Sequence, residues 1–417
     1  MTKFIIEGGT ALQGSLAVKG AKNSMLPIMA AAVLSSSTED IVLQNIPSIF
    51  DMHVMTEILR SLGAKVKFAD HTLRINVRDL HGFTIPEALM REMRSSIFLM
   101  GPLLARFGKV GVTYPGGCSI GPRPIDLHFK GLEALGAKIS EEGDFIIASA
   151  PRLQGTEIHL DYPSVGATEN LIMAAVLAQG KTTVNNAAQE PEIVDLQNFL
   201  NAMGADVRGA GTETLRIQGV ESVGRCTHRI IPDRIVAGTY LMAAAITGGE
   251  LLLQDIIPSH LDAVVAKMKE AGVLFQVAES SIKVTESKLK AVETLCTLPY
   301  PGFPTDLQAP MMALLTLAQG KSKITESVFE ARFRHAEELN RLQAKIAVQG
   351  RTAYIQGVEK LFGAEVEATD LRAGAALILA GLAAEGQTVV HNIKYIDRGY
   401  ENIENDLQKL GAKITRI

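Results

Sequence analysis

The sequence predicts an α+β protein built from six repeats of a βαβαββ-type unit. They group in two domains of three, with buried helices surrounded by sheets in an inside-out α/β barrel. Three observations predict it. A Leu-Gly-Ala triplet or a near variant recurs at Leu62-Gly63-Ala64, Leu135-Gly136-Ala137, Met203-Gly204-Ala205, Ala271-Gly272-Val273, Leu342-Gln343-Ala344 and Leu410-Gly411-Ala412. The middle positions are 73, 68, 68, 71 and 68 residues apart, and so constant a period marks an internal repeat. A helix of small apolar residues, then a short strand and a second helix, precedes each triplet.

The six small-residue helices are expected at 23–34, 94–105, 168–178, 235–246, 306–318 and 371–384. Helices that are apolar all round are buried ones. Strands are expected at 182–185, 250–253 and 388–391, each between the two helices of its repeat. The glycine of each triplet suits the residue just past a helix end, where φ is often positive; Gln343 departs from this. The last repeat stops at Ile417, before its final strands, while 3–7 and 12–18 read as surplus strands at the start. The N-terminal strands are therefore expected to complete the sixth repeat. This gives one domain over 21–229 and another over 1–20 plus 230–417, with the chain crossing twice. A cleft between such domains is the expected active site, and two crossings suit a closing hinge.

Composition narrows the function. The chain has 417 residues, 47% hydrophobic and 21% charged, with a net charge of −4. That balance argues against a nucleic-acid footprint. No apolar run reaches the roughly 18 residues that a membrane span needs, and the start of the chain lacks a signal-peptide layout. Cys118, Cys226 and Cys296 are too few for a disulfide scaffold and fit a reducing compartment, so a cytoplasmic protein is expected. No histidine and cysteine cluster has metal-ligand spacing. With neither a phosphate-binding glycine loop nor a dinucleotide fingerprint, no metal and no cofactor is expected.

Polar groups interrupt the apolar pattern at matching places. The stretch 114–126, Y-P-G-G-C-S-I-G-P-R-P-I-D, is a Gly/Pro loop that presents Cys118 near Arg123. A thiol near a guanidinium can have a lowered pKa and is the reactive candidate. Lys22 and Asn23 open the first buried helix, a natural anion site. Arg94 opens the second, Asp233-Arg234 the fourth, Asp306 the fifth, and Asp370 with Arg372 the sixth. Capping of the helix accounts for Asp306. It does not account for the arginines, because a cation opposes the helix dipole there. Those arginines imply a bound anion or a buried ion pair, with Asp233-Arg234 the structural pair. Arg398 precedes the last helix, and Glu190, Glu192 and Asp195 read as a solvated or hinge-facing turn. Lys22, Arg94, Arg123, Arg372 and Arg398 together imply an anionic small molecule. Aspartates without a metal suit proton transfer.

These residues carry a resemblance. G-A-K-N at 20–23, P-G-G-C-S-I-G-P-R-P-I-D at 115–126, S-V-G-A-T at 164–168 and E-P-E-I-V-D at 190–195 belong to it. So do P-D-R-I at 232–235, F-P-T-D at 303–306, A-T-D-L-R-A at 368–373 and I-D-R-G-Y at 396–400. Over essentially its whole length the chain resembles the UDP-N-acetylglucosamine 1-carboxyvinyltransferase family of enolpyruvyl transferases. The resemblance implies transfer of the enolpyruvyl group of phosphoenolpyruvate to the sugar 3′-hydroxyl, with loss of phosphate, in peptidoglycan synthesis. It implies Cys118 as general acid, and sensitivity to the epoxide fosfomycin, which alkylates that cysteine. It implies Lys22, Arg123 and Arg398 on the phosphate and carboxylate, and Asp306 as acceptor of the hydroxyl proton with Asp370 alongside. Asn23, Arg94, Arg123, Pro124, Ile125, Asp126, Leu127, Pro163, Ser164, Val165, Val328 and Arg372 would complete the substrate contacts. Val236, Ala331 and Gln343 depart from the family pattern, and Ala331 lies close to Val328. The alternatives are a non-catalytic sugar-nucleotide sensor, which would have lost Cys118, Lys22 or Asp306, and a shikimate-type enolpyruvyl transferase, which would lack the cysteine loop.

Overall fold

The computed structural model describes residues 2–113, 125–285 and 287–417. They divide into two compact units, one of residues 20–113 with 125–231, the other of 2–19 with 232–417. Each has its own hydrophobic core. The first is called here the Lys22 unit and the second the Asp306 unit.

The third repeat shows the pattern whole. Strand Glu157–His159 leads to the buried helix Val165–Ala175, strand Lys181–Asn185, helix Pro191–Ala202 and the hairpin Asp206–Arg208 with Thr214–Gln218. The sheet joins Glu157–His159 parallel to Lys181–Asn185, and the hairpin antiparallel to it. Among the described residues there are five such four-stranded sheets and one three-stranded sheet, and none closes on itself. The helices at the head of each repeat are nearly all buried, and the sheets lie on them by one face. In Lys181–Asn185, for instance, Thr182 and Val184 are buried between more exposed neighbours.

Small residues in the buried helices allow close contact. An added Cβ at Gly238, in helix Arg234–Ile246, would lie 2.4 Å from Leu307 Cδ1. The triplet glycines have φ from 86° to 105°, and Gln343 takes the same turn at φ 67°. The repeat thus keeps its left-handed helix end even where the glycine is gone.

The N-terminal strands part company. Phe4–Glu7 does complete the sixth repeat, lying between Gln387–His391 and Lys413–Arg416. Gln13–Ala17 instead pairs with Glu250–Gln254 of the fourth repeat. The reason is topological. Thr227–Arg229, just before the fourth repeat, is already paired with Ile41–Gln44 of the first. The fourth sheet therefore has an open edge, and Gln13–Ala17 fills it. Among the described residues, no helix is long and apolar enough to cross a membrane.

Candidate active site

In the Lys22 unit, the helix Lys22–Ala31 begins at Ala21, which gives no side-chain cap. Lys22 stands in that first turn, against the dipole. Its Nζ lies 2.7 Å from Asp51 Oδ2, in the first turn of helix Phe50–Ser61, and both side chains are buried. Ser24, two residues on, donates its hydroxyl to Asp195 Oδ2. Asp195 also meets His228 Nε2 at 2.8 Å and accepts the Ile231 N–H at 3.2 Å. Asp195 and Glu192 are therefore buried, not part of a solvated turn. Their burial follows from helix Pro191–Ala202, which packs against the Lys22 helix. Glu169 lies deeper: burial first, then the charges of Glu192 and Glu190, raise its pKa well above the usual carboxyl value.

The same Lys22 helix packs on the turn Arg94–Leu99. Arg94 there acts on His128, in helix Asp126–Ala134. His128 was not singled out from sequence. Burial first, then Arg94, lowers its pKa to about 4, with Asp126 opposing. Asn170 Nδ2 donates to His128 Nδ1 at 2.9 Å, which assigns the proton to Nε2. Gly166 sits against that nitrogen: a Cβ there would be 3.4 Å from it. Gly166 follows Ser164, which caps helix Val165–Ala175 by accepting the Ala167 N–H at 3.4 Å. Arg94 and Asp126 thus act on His128, and Gly166, at the head of helix Val165–Ala175, sits against it. Ile125 is buried beside them, while Asn23, Leu127 and Pro163 are half-buried. Cys118, Arg123 and Pro124 lie outside the described residues.

In the Asp306 unit, Asp306 is not a cap. The short turn Thr305–Leu307 begins at Pro304 with no side-chain cap. The caps are Asp233, which accepts the Ile235 and Val236 N–H groups at 2.8 and 3.0 Å, and Asp370, which accepts those of Arg372 and Ala373 at 2.9 and 3.1 Å. Asp306 instead lies between two arginines. Arg332 Nη2 reaches Oδ1 at 2.7 Å. Arg372 reaches Oδ2 with Nη2 at 2.9 Å and Nε at 3.2 Å. Both guanidiniums are nearly sealed, at 5% side-chain exposure, while Asp306 keeps 25%. Burial works against the charge on Arg372, but Asp306, Tyr400 and Asp233 outweigh it, so its pKa is raised.

Arg332 was also missed in the sequence, although it adjoins Ala331. Its signal was its neighbourhood, V-F-E-A-R-F. Arg332 Nη1 donates to Thr305 Oγ1 at 2.7 Å, and Thr305 donates to Glu326 Oε2 at 2.8 Å. The buried Glu326 accepts the Val328 and Phe329 N–H groups at 2.8 and 3.1 Å. Val328 is thereby tied to Asp306 through three side chains. His335, one turn past Arg332, is buried with its pKa lowered to about 4, by burial first and then Arg332, with Asp370 opposing. Arg398 ends the turn Ile393–Arg398, which packs on helix Leu371–Ala383. Arg234 lies over the Tyr300 ring, 5.4 Å from its centre.

Chemically, the arrangement offers a lysine paired with a buried carboxylate, and a partly exposed carboxylate held between two guanidiniums. Comparison with known proteins bears on what these groups serve. The sequence pattern of the EPSP synthase (3-phosphoshikimate 1-carboxyvinyltransferase) family matches residues 6–407. UDP-N-acetylglucosamine 1-carboxyvinyltransferase 1 of Symbiobacterium thermophilum is 56% identical over 422 residues, spanning 100% of this chain and 95% of that protein. UDP-N-acetylglucosamine 1-carboxyvinyltransferase 2 of Carboxydothermus hydrogenoformans is 53% identical and matches over the full length of both. Among solved structures, the enolpyruvyl transferase NikO from Streptomyces tendae superposes with a TM-score of 0.89 at 26% identity, covering 100% of this chain and 98% of that one. EPSP synthase from Acinetobacter baumannii does so with a TM-score of 0.76 at 18% identity, a likeness of fold alone.

Proposed function

The chain belongs to the EPSP synthase family, and from that premise we infer its reaction. It transfers the enolpyruvyl group of phosphoenolpyruvate to the 3′-hydroxyl of UDP-N-acetylglucosamine and releases phosphate, the first committed step of peptidoglycan synthesis. The observation that carries the acceptor is identity of 51–56%, over the whole chain, to relatives named for it. Neither the sensor nor the shikimate reading is favoured. The same reading places the enzyme in the cytoplasm, with these two small molecules as its partners.

The roles of individual residues are proposals. Asp306 takes the proton of the 3′-hydroxyl. It suits this because it is partly exposed, so a hydroxyl can reach it while the guanidiniums stay covered. Asp370, whose Oδ1 caps its helix, holds Arg372 in place by its backbone. Lys22 exchanges Asp51 for a substrate anion, with Arg398 and Arg123 as further anion contacts. Arg94, His128 and the Ser164–Val165 helix end hold the nucleotide sugar, with Asn23, Pro124 to Leu127, Pro163 and Val328 beside it. Cys118 protonates the methylene carbon, and loss of phosphate together with a proton from the resulting methyl group then forms the enol ether.

The test is inorganic phosphate release from phosphoenolpyruvate with each acceptor offered separately. Release with UDP-N-acetylglucosamine alone is expected; release with shikimate 3-phosphate overturns the reading. In the same assay Cys118→Ser should turn over very slowly, because a hydroxyl is far too weak an acid. Cys118→Asp should keep activity and resist fosfomycin. Full activity in the serine variant would remove the general-acid role.

A further inference from the structure

We propose that Glu326 is a positioning residue for the acceptor: its carboxyl shapes the turn that carries Val328 and so sets how tightly UDP-N-acetylglucosamine is held. The proposal rests on the reading of Val328 as a contact of the nucleotide sugar.

Glu326 is the first residue past strand Lys321–Thr325, and no regular element follows until helix His335–Arg341. Val328 lies in that stretch, half-buried. A segment that leaves its sheet must send its backbone N–H groups elsewhere. Glu326 still donates its own to a carbonyl, that of Arg351, at 2.9 Å. The next three go to side chains. Ser327 donates to Thr297 Oγ1 at 3.0 Å, and Val328 and Phe329 both donate to Glu326 Oε1, at 2.8 and 3.1 Å. The carboxyl thus folds forward over the residues that follow it, much as a capping side chain does at a helix start.

The carboxyl is itself fixed from behind. Glu326 is buried, at 1% exposure. Thr297 donates to Oε1 and Thr305 to Oε2, each at 2.8 Å. Both hydroxyls have their direction set by a neighbour that can only donate. Thr297 Oγ1 takes the Ser327 N–H, and Thr305 Oγ1 takes Arg332 Nη1 at 2.7 Å, which leaves each hydroxyl proton for Glu326. Ser327 Oγ closes the ring by donating to the Thr297 carbonyl. The two oxygens of Glu326 serve different partners. Oε1 holds the backbone at Val328 and Phe329, whereas Oε2 meets Thr305, beside Asp306. Arg332 has its own bond to Asp306 Oδ1, which does not pass through Glu326. Holding the sugar therefore depends on Glu326 more than the chemical step does.

The experiment compares Glu326→Met and Glu326→Gln with the unchanged enzyme by phosphate release. Methionine has a similar length but no strong acceptor, so it strands both N–H groups. Glutamine can turn its amide oxygen to the place of Oε1 and keep them. KM for UDP-N-acetylglucosamine should rise about tenfold in Glu326→Met and stay within about threefold in Glu326→Gln. KM for phosphoenolpyruvate should stay within about twofold in both, and kcat should fall less than the first KM rises. A structural role alone would lower the unfolding midpoint without this split between the two substrates. An unchanged KM for UDP-N-acetylglucosamine in Glu326→Met overturns the proposal, as does an equal rise in both variants. Should Glu326→Met fail to fold, Thr297→Val decides it: a rise of about threefold is expected, and no rise overturns. Hydrogen exchange separates the two readings. In the unchanged enzyme, UDP-N-acetylglucosamine should slow exchange of the amides at 327–329. If it does not, Val328 is no contact and the proposal falls with it. If it does, while Glu326→Met keeps its KM, only the role of Glu326 falls.

Discussion

The two units solve the same local problem in opposite ways. Each has charged groups at the head of a buried helix. In the Lys22 unit the helix head carries a cation, and the nearby acids, Asp51 and Asp195, are sealed partners. In the Asp306 unit two acids, Asp233 and Asp370, cap helices, and the third lies between two sealed arginines. The difference teaches which charges are left over once the helix ends are capped: Lys22, paired with Asp51, in one unit, and Asp306, paired with two arginines, in the other. Capping acids are held by two backbone N–H groups each and have little to offer a ligand.

Removing the acid on each side should break the comparison most sharply. Asp306→Asn strips the charge that balances two buried guanidiniums, neither of which can lose its proton. The expected loss is on the order of 3–5 kcal/mol of stability, with turnover lowered by about 10²–10⁴. Asp51→Asn leaves a lysine, which can shed its proton or turn toward water. Its expected loss is smaller, about 1–2 kcal/mol. Urea unfolding of both variants at neutral pH checks this. Equal losses would mean that the two pairs are balanced alike.

A second contrast lies in the buried histidines. His128 accepts a bond from Asn170, whereas His335 Nε2 has no partner among the described residues. Both have folded pKa values of about 4 against an ordinary 6.5. The unfolded chain therefore takes up protons below about 6.5, where the folded one does not. Stability is full above that value and falls as pH drops toward 4. Each histidine contributes a loss on the order of 3 kcal/mol across that window. Replacing either by leucine should flatten the acid side of the curve. At neutral pH the two should differ. His335→Leu removes an unsatisfied group and should be neutral or stabilising, while His128→Leu strands the Asn170 donor and should cost about 1–3 kcal/mol. Denaturant midpoints at pH 7 and pH 5 separate these outcomes. Equal behaviour at pH 7 would contradict the stated difference in partners.

The repeat was legible in the sequence because one backbone requirement, a left-handed residue after each second helix, recurs every 68–73 residues and is met by glycine in all but the fifth repeat. The buried helices were legible because sealed surfaces admit few polar residues. Strand partners were less so. Nothing in Gln13–Ala17 says that it will leave the sixth repeat for the fourth; that follows from an edge left open over two hundred residues away. Side-chain partners were least legible. Asp306 and Asp370 stand in similar phrases, T-D-L-Q-A and T-D-L-R-A, yet one caps a helix and the other does not. The deciding group is Arg332, remote in sequence from Asp306 and marked by no motif of its own. His128 was hidden for the same reason: its role comes from burial against Asn170 and Arg94, not from spacing.

The smallest expected effect concerns the helix ends. Gln343, in the Asp306 unit, holds φ 67°, while Gly204, which ends the second helix of the third repeat in the Lys22 unit, holds φ 105°. A side chain tolerates the first value better, since it lies nearer the left-handed helical basin. Gln343→Gly relieves a modest strain but adds freedom to the unfolded chain, two effects of about 0.5–1 kcal/mol that oppose each other. The net gain should be close to zero. For Gly204→Gln there is no steric obstacle, because an added Cβ meets nothing within 4 Å. Its cost is therefore strain alone, reduced by the entropy that glutamine removes from the unfolded chain. Since φ 105° lies outside the basin, a net loss of about 1 kcal/mol is expected. Thermal unfolding of the two reciprocal variants reads both quantities. A loss at Gly204 no larger than the change at Gln343 would mean that the fifth repeat was not spared by its smaller φ, and that some contact of the Gln343 side chain holds its turn.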